Sequence, residues 1–371
     1  MRYHIALSKS FDLAGIHQAA QQSKRPRHVL GDLSQQLGAM VHQPDHHPIS
    51  RLDKVGARIV GQPEHWAMAR AIVAQLEDDD LVFCAGEDSG FPLAILCRMM
   101  GKRAKLTVTV MAPDRLRVRG VLKLFGLANQ IDLFLVNTQA KADTLRRFLD
   151  LPSDRVYQLP EQTDTSFFTP GAASPTKTRP IIASAGLEQR DYQTLAEATC
   201  ELEVDVNICA VSPNASTSTR VAMPKVTPDN MTLKHYDWVD LLQLYRDADV
   251  VAISLLDNHY AAGLTTLMEA MACRRPIVMT RTPGLAEQLI DLGVVMGVAP
   301  GDVDELRQAI VTLLENRELA ESLAQRAYAL VTRTHSSEVY IECLVERLST
   351  LTTLPTKAAR ARPTQVQPHQ A

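Results

Sequence analysis

Short apolar runs rich in β-branched residues alternate with segments of helical periodicity along most of this chain. The clearest runs in the first half are Arg2–Leu7, Leu81–Cys84, Lys105–Met111 and Ile131–Val136. A stretch without periodicity follows at residues 163–179, and the alternation restarts at Pro180–Ala185. Strands separated by helices of about 10–15 residues are typical of βαβ units, which build parallel sheets covered by helices. The sequence therefore predicts an α/β protein with two such halves.

Length and composition support two globular domains. The chain has 371 residues, 46% of them hydrophobic and 22% charged, and a chain of this size usually exceeds one core. We predict an N-terminal domain over residues 1–165, a linker over 166–179 and a C-terminal domain over 180–335. A helix over 336–352 is expected to pack back toward the N-terminal domain, and residues 353–371 are expected to be a disordered tail.

Charge and cysteine usage narrow the class of protein. A net charge of -3 gives no indication of a nucleic-acid partner. No apolar run reaches the roughly 18 residues of a transmembrane helix. The six cysteines are scattered without a C-x-x-C pair, which favours reduced thiols in a cytoplasmic protein. The P-loop, G-x-G-x-x-G and G-x-S-x-G motifs are absent, which argues against a P-loop NTPase, a nicotinamide dehydrogenase and a serine hydrolase.

The segment Gly263–Cys273 is the strongest candidate for a binding site. It follows the apolar run Val250–Leu256, and ligands of open parallel sheets bind outside the carboxyl ends of the strands. A helix beginning near Gly263 would offer free N–H groups and a positive dipole end to a phosphate. Glu269, about one turn into that helix, would then accept hydrogen bonds from sugar hydroxyls. Alternatively, Thr266 and Glu269 form an S/T-x-x-E capping box, in which the glutamate only satisfies backbone donors.

A second acidic segment, Glu87-Asp88-Ser89-Gly90, follows a buried strand and precedes a helix containing Pro92. Ser89 or Asp88 can act as a plain N-cap, with the proline in the first turn. Alternatively, the carboxylate of Glu87 or Asp88 orients a substrate hydroxyl and takes up its proton. We favour Asp88 as the catalytic candidate.

Two further segments carry charged or metal-binding residue types. His42–His47 has no regular ligand spacing, so we predict a solvated loop and no metal site. Arg115–Lys123 alternates basic and apolar residues. Such a segment is either a surface helix with solvated arginines or a peripheral patch attracted to anionic lipid, which would suit a lipid-linked substrate.

Four segments form a pattern when taken together: Ser184–Gly186 with Arg190–Leu195 and Glu197, Leu241–Val251, Gly263–Gly284, and Asp164–Pro170. As a set they resemble the GT-B glycosyltransferases, and more narrowly the retaining family 4, or group 1, glycosyltransferases. The resemblance implies two Rossmann-like domains facing across a cleft. It also implies that the C-terminal domain binds the donor and that the N-terminal domain binds the acceptor.

The same resemblance assigns roles to residues of the second half. Arg190 corresponds to the basic residue that binds the diphosphate, a task for which a guanidinium is well suited. Glu269 corresponds to the glutamate on the nucleotide side, which binds ribose hydroxyls. Asn258 or His259 is expected to contact the sugar. The donor-binding residues that we predict are Gly186, Arg190, Asn258, His259, Gly263, Leu264, Thr265, Thr266 and Glu269.

Two positions depart from the family pattern. The first of the family's two glutamates falls on Ala261, and the histidine that follows an N-terminal strand is missing from Met111–Asp114. The expected activity is transfer of a sugar, with retention, from a UDP-, GDP- or ADP-linked donor to an acceptor hydroxyl. No cofactor or metal is expected, and the expected location is the cytoplasm or the inner face of a membrane. The alternatives are a nucleotide-sugar-binding protein without turnover and a nucleotide-sugar epimerase.

Overall fold

The computed structural model describes residues 1–210, 220–258 and 262–353. The chain forms two compact units. The first comprises Met1–Leu13, Leu30–Leu159 and the described residues from Ile341 to Thr353, and the second comprises Ala14–Val29 and Pro160–Tyr340. Residues 14–29, which the sequence prediction assigned to the N-terminal domain, therefore lie in the second unit.

The first unit contains a parallel sheet of six strands. The strands are β1 (Tyr3–Ala6), β2 (Met40–His42), β3 (Leu81–Cys84), β4 (Lys105–Thr109), β5 (Leu133–Val136) and β6 (Val156–Gln158). Their order across the sheet is β2-β1-β3-β4-β5-β6, and every pair is parallel. The order changes direction between β1 and β3, so the topological switch point of this sheet lies there.

The second unit contains the remaining strands. They are β7 (Ile181–Ala185), β8 (Arg190–Asp191), β9 (Asp205–Cys209), β10 (Val221–Ala222), β11 (Met231–Lys234), β12 (Val250–Ile253), β13 (Ile277–Thr280) and β14 (Met296–Val298). Six of them form a parallel sheet in the order β11-β9-β7-β12-β13-β14, while β8 and β10 pair separately. This is the Rossmann strand order, with its switch point between β7 and β12.

Helices connect the strands in both units. The first seven are α1 (Leu13–Gln21), α2 (Val29–Leu37), α3 (Arg51–Gly56), α4 (Pro63–Gln75), α5 (Glu87–Met99), α6 (Leu116–Leu124) and α7 (Gln139–Leu149). The others are α8 (Tyr192–Thr199), α9 (Trp238–Asp247), α10 (Leu264–Ala272), α11 (Leu285–Asp291), α12 (Val303–Glu315), α13 (Arg317–Thr334) and α14 (Ser337–Thr353). Among the described residues, no helix combines the length and the apolar character that crossing a bilayer requires.

The central strands are buried along their whole length. All four residues of β3, β5, β12 and β13 are buried. A parallel sheet covered by helices on both faces requires this, because neither face of a strand is left for water. The apolar runs that first suggested strands are therefore the interior of two sheets.

A partly buried ion pair connects residues 14–29 to the rest of the second unit. The backbone N–H and the guanidinium of Arg27 donate to the Asp164 carboxylate, with Nη2 2.7 Å from Oδ1, and Nη2 also donates to Glu338 Oε1 at 2.5 Å. Burial alone raises the pKa of Asp164, but the hydrogen bonds from Arg27 outweigh it and hold the pKa below its usual value. Asp164 lies in one of the four segments that carry the family resemblance.

Two local predictions in the first unit were wrong. Helix α5 begins at Glu87 with Gly86 as its N-cap, so Pro92 is its sixth residue and not part of the first turn. A proline at this position has no N–H to donate to the carbonyl four residues earlier, so α5 lacks one main-chain hydrogen bond there. His42 is not in a solvated loop: it ends edge strand β2, is buried, and its Nε2 lies 3.0 Å from Nδ1 of His4.

Candidate active site

Loops after two neighbouring strands of the second sheet meet at its switch point. Gly186 follows β7 with φ of 94°, and Gly263 precedes α10 with φ of 78°. A Cβ added to Gly186 would lie 2.5 Å from Nη2 of Arg190, and one added to Gly263 would lie 2.9 Å from Cγ2 of Ile253. The left-handed backbone and the close approach both require glycine at these two positions. The guanidinium of Arg190 consequently lies against the backbone of both loops.

Three hydrogen bonds hold the Arg190 guanidinium. Nε donates to Ala185 O at 2.7 Å, Nη1 to Glu188 O at 3.0 Å, and Nη2 to Thr266 Oγ1 at 3.0 Å. The residue is 4% exposed, and burial lowers its pKa. No carboxylate in the described part of the chain forms an ion pair with it. The site therefore contains a buried guanidinium that forms no direct ion pair among the described residues, and the carboxyl groups of Glu188 and Glu269 act on its charge only at longer range.

The first turn of α10 lies beside this cation. Gly263 is the N-cap, no side chain caps the helix, and the Leu267 N–H donates to Gly263 O at 3.0 Å. The amides of Leu264, Thr265 and Thr266 precede that bond and have no side-chain cap. The positive end of the helix dipole and Arg190 thus reinforce each other, and an anion at this position would relieve their repulsion.

The alternative capping box is not formed. Thr266 is the third residue of α10, and its hydroxyl donates to Ala185 O at 3.1 Å while it accepts from Arg190. A capping box would place Thr266 before the helix, whereas the left-handed Gly263 starts the helix three residues earlier. Glu269 is therefore not a capping residue of α10.

Glu269 is buried next to a tyrosine from α9. The Tyr245 hydroxyl donates to Oε2 of Glu269 at 2.7 Å, and Phe168 packs edge-to-face on the Tyr245 ring. Glu269 is 6% exposed, and burial raises its pKa to about 7, against the opposing effects of Tyr245 and Arg190. Near neutral pH this carboxyl group is therefore poised between its neutral and charged forms.

The other predicted donor-site residues occupy the same edge of the sheet. Leu264 and Thr266 are buried, while the Thr265 side chain is exposed on the first turn. Asn258 is buried in the loop after β12, and its Nδ2 donates to Leu256 O at 2.7 Å. His259 and the departure at Ala261 lie outside the described residues.

Asp88 occupies the switch point of the first sheet. It is exposed in the first turn of α5, directly after β3. Its neighbour Glu87 accepts the Met111 N–H at 2.8 Å, and the buried Ser89 hydroxyl donates to Gly86 O at 3.1 Å. Neither Asp88 nor Ser89 caps α5. Asp88 is consequently the carboxylate of this segment that faces solvent.

Sequence reasoning missed Gln189 and Tyr245. Gln189 has a left-handed backbone with φ of 57°, and its side chain is buried beside Arg190. A glutamine gives no local signal for such a conformation, which glycine or asparagine would favour. Tyr245 belonged to a segment that carried the resemblance, but its contact with Glu269 joins residues 24 positions apart. Local periodicity cannot indicate such a pair.

No cluster of three or more histidine, cysteine, aspartate or glutamate side chains suitable for a metal ion occurs among residues 1–210, 220–258 and 262–353.

Comparison with known proteins supports the family resemblance of the second unit. Residues 181–316 match the model of the family described as glycosyl transferases group 1. A D-inositol 3-phosphate glycosyltransferase of Corynebacterium jeikeium is 27% identical over 185 residues, or 43% of this chain and 43% of that protein. The chain thus matches less than half the length of this curated relative.

Solved structures extend the likeness to nearly the whole fold. HepE of Anabaena, solved in complex with UDP-glucose, matches with a TM-score of 0.63 and 15% identity, over 94% of this chain and 100% of that one. The sucrose-phosphate synthase of Thermosynechococcus elongatus matches with a TM-score of 0.66 and 16% identity, over 95% and 99% of the two chains. The predicted α/β GT-B fold class is confirmed, and the resemblance to group 1 glycosyltransferases is confirmed for residues 181–316.

Proposed function

We propose that this protein is a glycosyltransferase that moves a sugar from a nucleotide diphosphate-sugar to an acceptor hydroxyl, with retention of configuration. The observation that carries the proposal is the Arg190 guanidinium, buried at the amino end of α10 without a carboxylate partner in the described part of the chain. This arrangement suits a diphosphate, whose oxygens accept hydrogen bonds both from backbone amides and from the guanidinium. The group 1 family match over residues 181–316 supports the same chemistry.

The reaction exchanges one carbon–oxygen bond for another. The bond from the anomeric carbon to the diphosphate breaks, and a bond from that carbon to the acceptor oxygen forms. Negative charge grows on the departing diphosphate, where Arg190 and the first-turn amides of α10 stabilise it without rearrangement. Retention corresponds to attack from the face that the diphosphate leaves, with the acceptor proton passing to a departing phosphate oxygen. Asp88 is the proposed carboxylate that orients the acceptor hydroxyl.

The nucleoside is proposed to bind beside the diphosphate. Glu269 would accept hydrogen bonds from the ribose hydroxyls, while Asn258 or His259 would contact the sugar. The HepE structure was solved with UDP-glucose, which supports UDP as the first nucleotide to test. In this proposal the N-terminal domain supplies the acceptor side and residues 180–335 supply the donor side.

Turnover with purified protein tests the proposal. The protein is incubated with UDP-, GDP- and ADP-sugars, with and without a panel of hydroxyl acceptors, and the released nucleoside diphosphate is measured. Release that depends on an acceptor is the expected result. Binding without release for every acceptor would identify a nucleotide-sugar-binding protein instead. Conversion of the sugar in the absence of any acceptor would identify an epimerase.

Helix α6 carries a surface suited to a lipid-linked acceptor. Leu116 and Leu124 are 85% and 80% exposed and lie two turns apart on one face, with Gly120 between them. The cationic groups of Arg119 and Lys123 lie 4.2 and 4.8 Å from the centre of the Phe148 ring. An apolar stripe next to cations is typical of a helix that binds the surface of an anionic membrane. We propose that this part of Arg115–Lys123 contacts the membrane from the cytoplasmic side.

Vesicle binding tests the membrane contact. We expect the protein to sediment with vesicles that contain anionic lipid, and less so as salt rises, because basic residues contribute about 1 kcal/mol each near such a surface. Leu116→Ser with Leu124→Ser should remove most of this binding. Leu292→Ser is the matched control, since Leu292 is an exposed leucine of the second unit. Equal binding by the double variant and the control would contradict the role of α6.

A further inference from the structure

Gln189 combines two unfavourable features in the loop between Gly186 and Arg190. Its backbone is left-handed, with φ of 57°, although it is not a glycine. Its side chain is 8% exposed, and the buried Oε1 has no hydrogen-bond partner in the described part of the chain. Strained backbone of this kind clusters at ligand sites, and buried polar atoms in native proteins normally have a partner.

The position of Gln189 is fixed by its backbone. Its N–H donates to Arg220 O at 2.7 Å, and its carbonyl accepts the Leu256 N–H at 2.8 Å. On one side it adjoins Arg190, which contacts the start of α10, and on the other it contacts the loop that follows β12. Gln189 therefore lies outside the carboxyl ends of β7 and β12, at the switch point where ligands of such sheets bind.

The two features have no common structural purpose. Glycine or asparagine adopts a left-handed backbone at a lower free-energy cost than glutamine. An apolar residue such as methionine can be buried without hydrogen bonds at a lower free-energy cost than an amide. Both alternatives would favour folding, and the chain has neither. The unpaired amide oxygen of Gln189 is explained if a bound ligand donates a hydrogen bond to it.

We propose that the side-chain amide of Gln189 hydrogen-bonds the bound nucleotide-sugar and helps to select the donor. The inference rests on the proposed function, because it assumes a donor at the α10 site. The carbonyl oxygen of the amide would accept a hydrogen bond from a sugar hydroxyl or from an N–H of the base. A buried acceptor discriminates strongly, because a ligand without the matching donor leaves it unpaired.

Two substitutions separate the amide from the backbone. Gln189→Gly removes the amide and relaxes the left-handed conformation, while Gln189→Met removes the amide and keeps both the side-chain length and the strain. We expect each variant to melt no lower than the natural protein and to bind the donor about tenfold more weakly. Asp150→Gly is the matched control, because Asp150 is also left-handed, with φ of 52°, and belongs to the first unit. It should leave donor affinity unchanged.

Titration calorimetry with UDP, GDP, ADP and their glucose conjugates provides the readout. A loss of affinity for both the nucleotide and its glucose conjugate places the contact on the nucleotide, and a loss only for the conjugate places it on the sugar. Unchanged affinity for both ligands in Gln189→Gly and Gln189→Met overturns the inference while the proposed function stands. If the natural protein binds none of these ligands, the proposed function fails as well.

Discussion

Glu269→Gln is expected to weaken nucleotide-sugar binding about a hundredfold while stabilising the folded protein at alkaline pH. The amide keeps the shape of the side chain and can still accept from the Tyr245 hydroxyl, which lies 2.7 Å from the carboxylate. It cannot supply the charged acceptor that two ribose hydroxyls would use, and hydrogen bonds to charged groups contribute about 1.5–3 kcal/mol each. Affinity and stability should therefore move in opposite directions.

The sign of the stability change follows from the pKa of Glu269. Burial raises this pKa to about 7 from an ordinary value of 4.5. The stability that the neutral carboxyl contributes is complete below pH 4.5 and is lost as the pH rises through 7, and the difference corresponds to about 3 kcal/mol. The glutamine side chain does not ionise, so the variant should not lose this stability as the pH rises. Urea unfolding at pH 5 and pH 8.5 should show a gap between the two proteins that widens at the higher pH.

Tyr245→Phe provides the control for this prediction. It keeps the carboxylate but removes the hydroxyl that lowers the pKa of Glu269. Donor affinity should therefore fall at pH 7 and recover as the pH rises above 8, whereas Glu269→Gln should not recover. If donor affinity of the natural protein is independent of pH between 6 and 9, the carboxylate does not bind the ribose.

Arg190→Gln should reduce the affinity for a nucleoside diphosphate by at least about a hundredfold and leave the affinity for the nucleoside itself nearly unchanged. Removing one partner of a buried charge interaction costs about 2–5 kcal/mol. Glu269→Gln should lower the affinity for both UDP and uridine, because the proposed contact of Glu269 is with the ribose. Comparing UDP with uridine in both variants therefore distinguishes the phosphate end of the site from the ribose end.

Arg275→Gln is the matched control for Arg190→Gln. Arg275 belongs to the same unit, burial also lowers its pKa, and its guanidinium donates to the backbone carbonyls of Cys273 and Ala248. Both substitutions remove a buried guanidinium together with its hydrogen bonds to backbone carbonyls, so both should lower the melting temperature. Equal loss of UDP affinity in the two variants would show that general destabilisation, not loss of a phosphate contact, is responsible.

Local patterns predicted the fold because its strands are buried on both faces. The runs around Phe83, Phe134 and Val251 are continuous apolar segments, and they are central strands. Strand β2, with only three residues from Met40 to His42, lies at an edge and gives no such signal. Residues 40–42 form a strand because they pair with β1, and their own composition does not indicate this. His42 was therefore predicted in a loop.

The part of the candidate site that is formed by backbone groups could be predicted from the sequence. Gly263 and the helix that follows could be found because glycine and helical periodicity are visible in the sequence. The buried state of Arg190 could not, because it depends on the contact with Thr266, which lies 76 positions away along the chain. The pairing of Tyr245 with Glu269 is of the same kind. Residue types and local periodicity thus predict the position of the candidate site. The burial and charge of its side chains depend on tertiary contacts, which local sequence patterns do not show.

The bond between Arg27 and Asp164 has a practical implication for dissecting the protein. The second unit combines residues 14–29, which precede β2 in the sequence, with Pro160–Tyr340, and the hydrogen bonds between Arg27 and Asp164 connect the two parts. A recombinant fragment starting at Pro160 would leave Asp164 without its guanidinium. Chimaeras made by swapping halves at that point would combine mismatched parts of one folding unit, so exchanges between relatives need to transfer the early segment together with the later half.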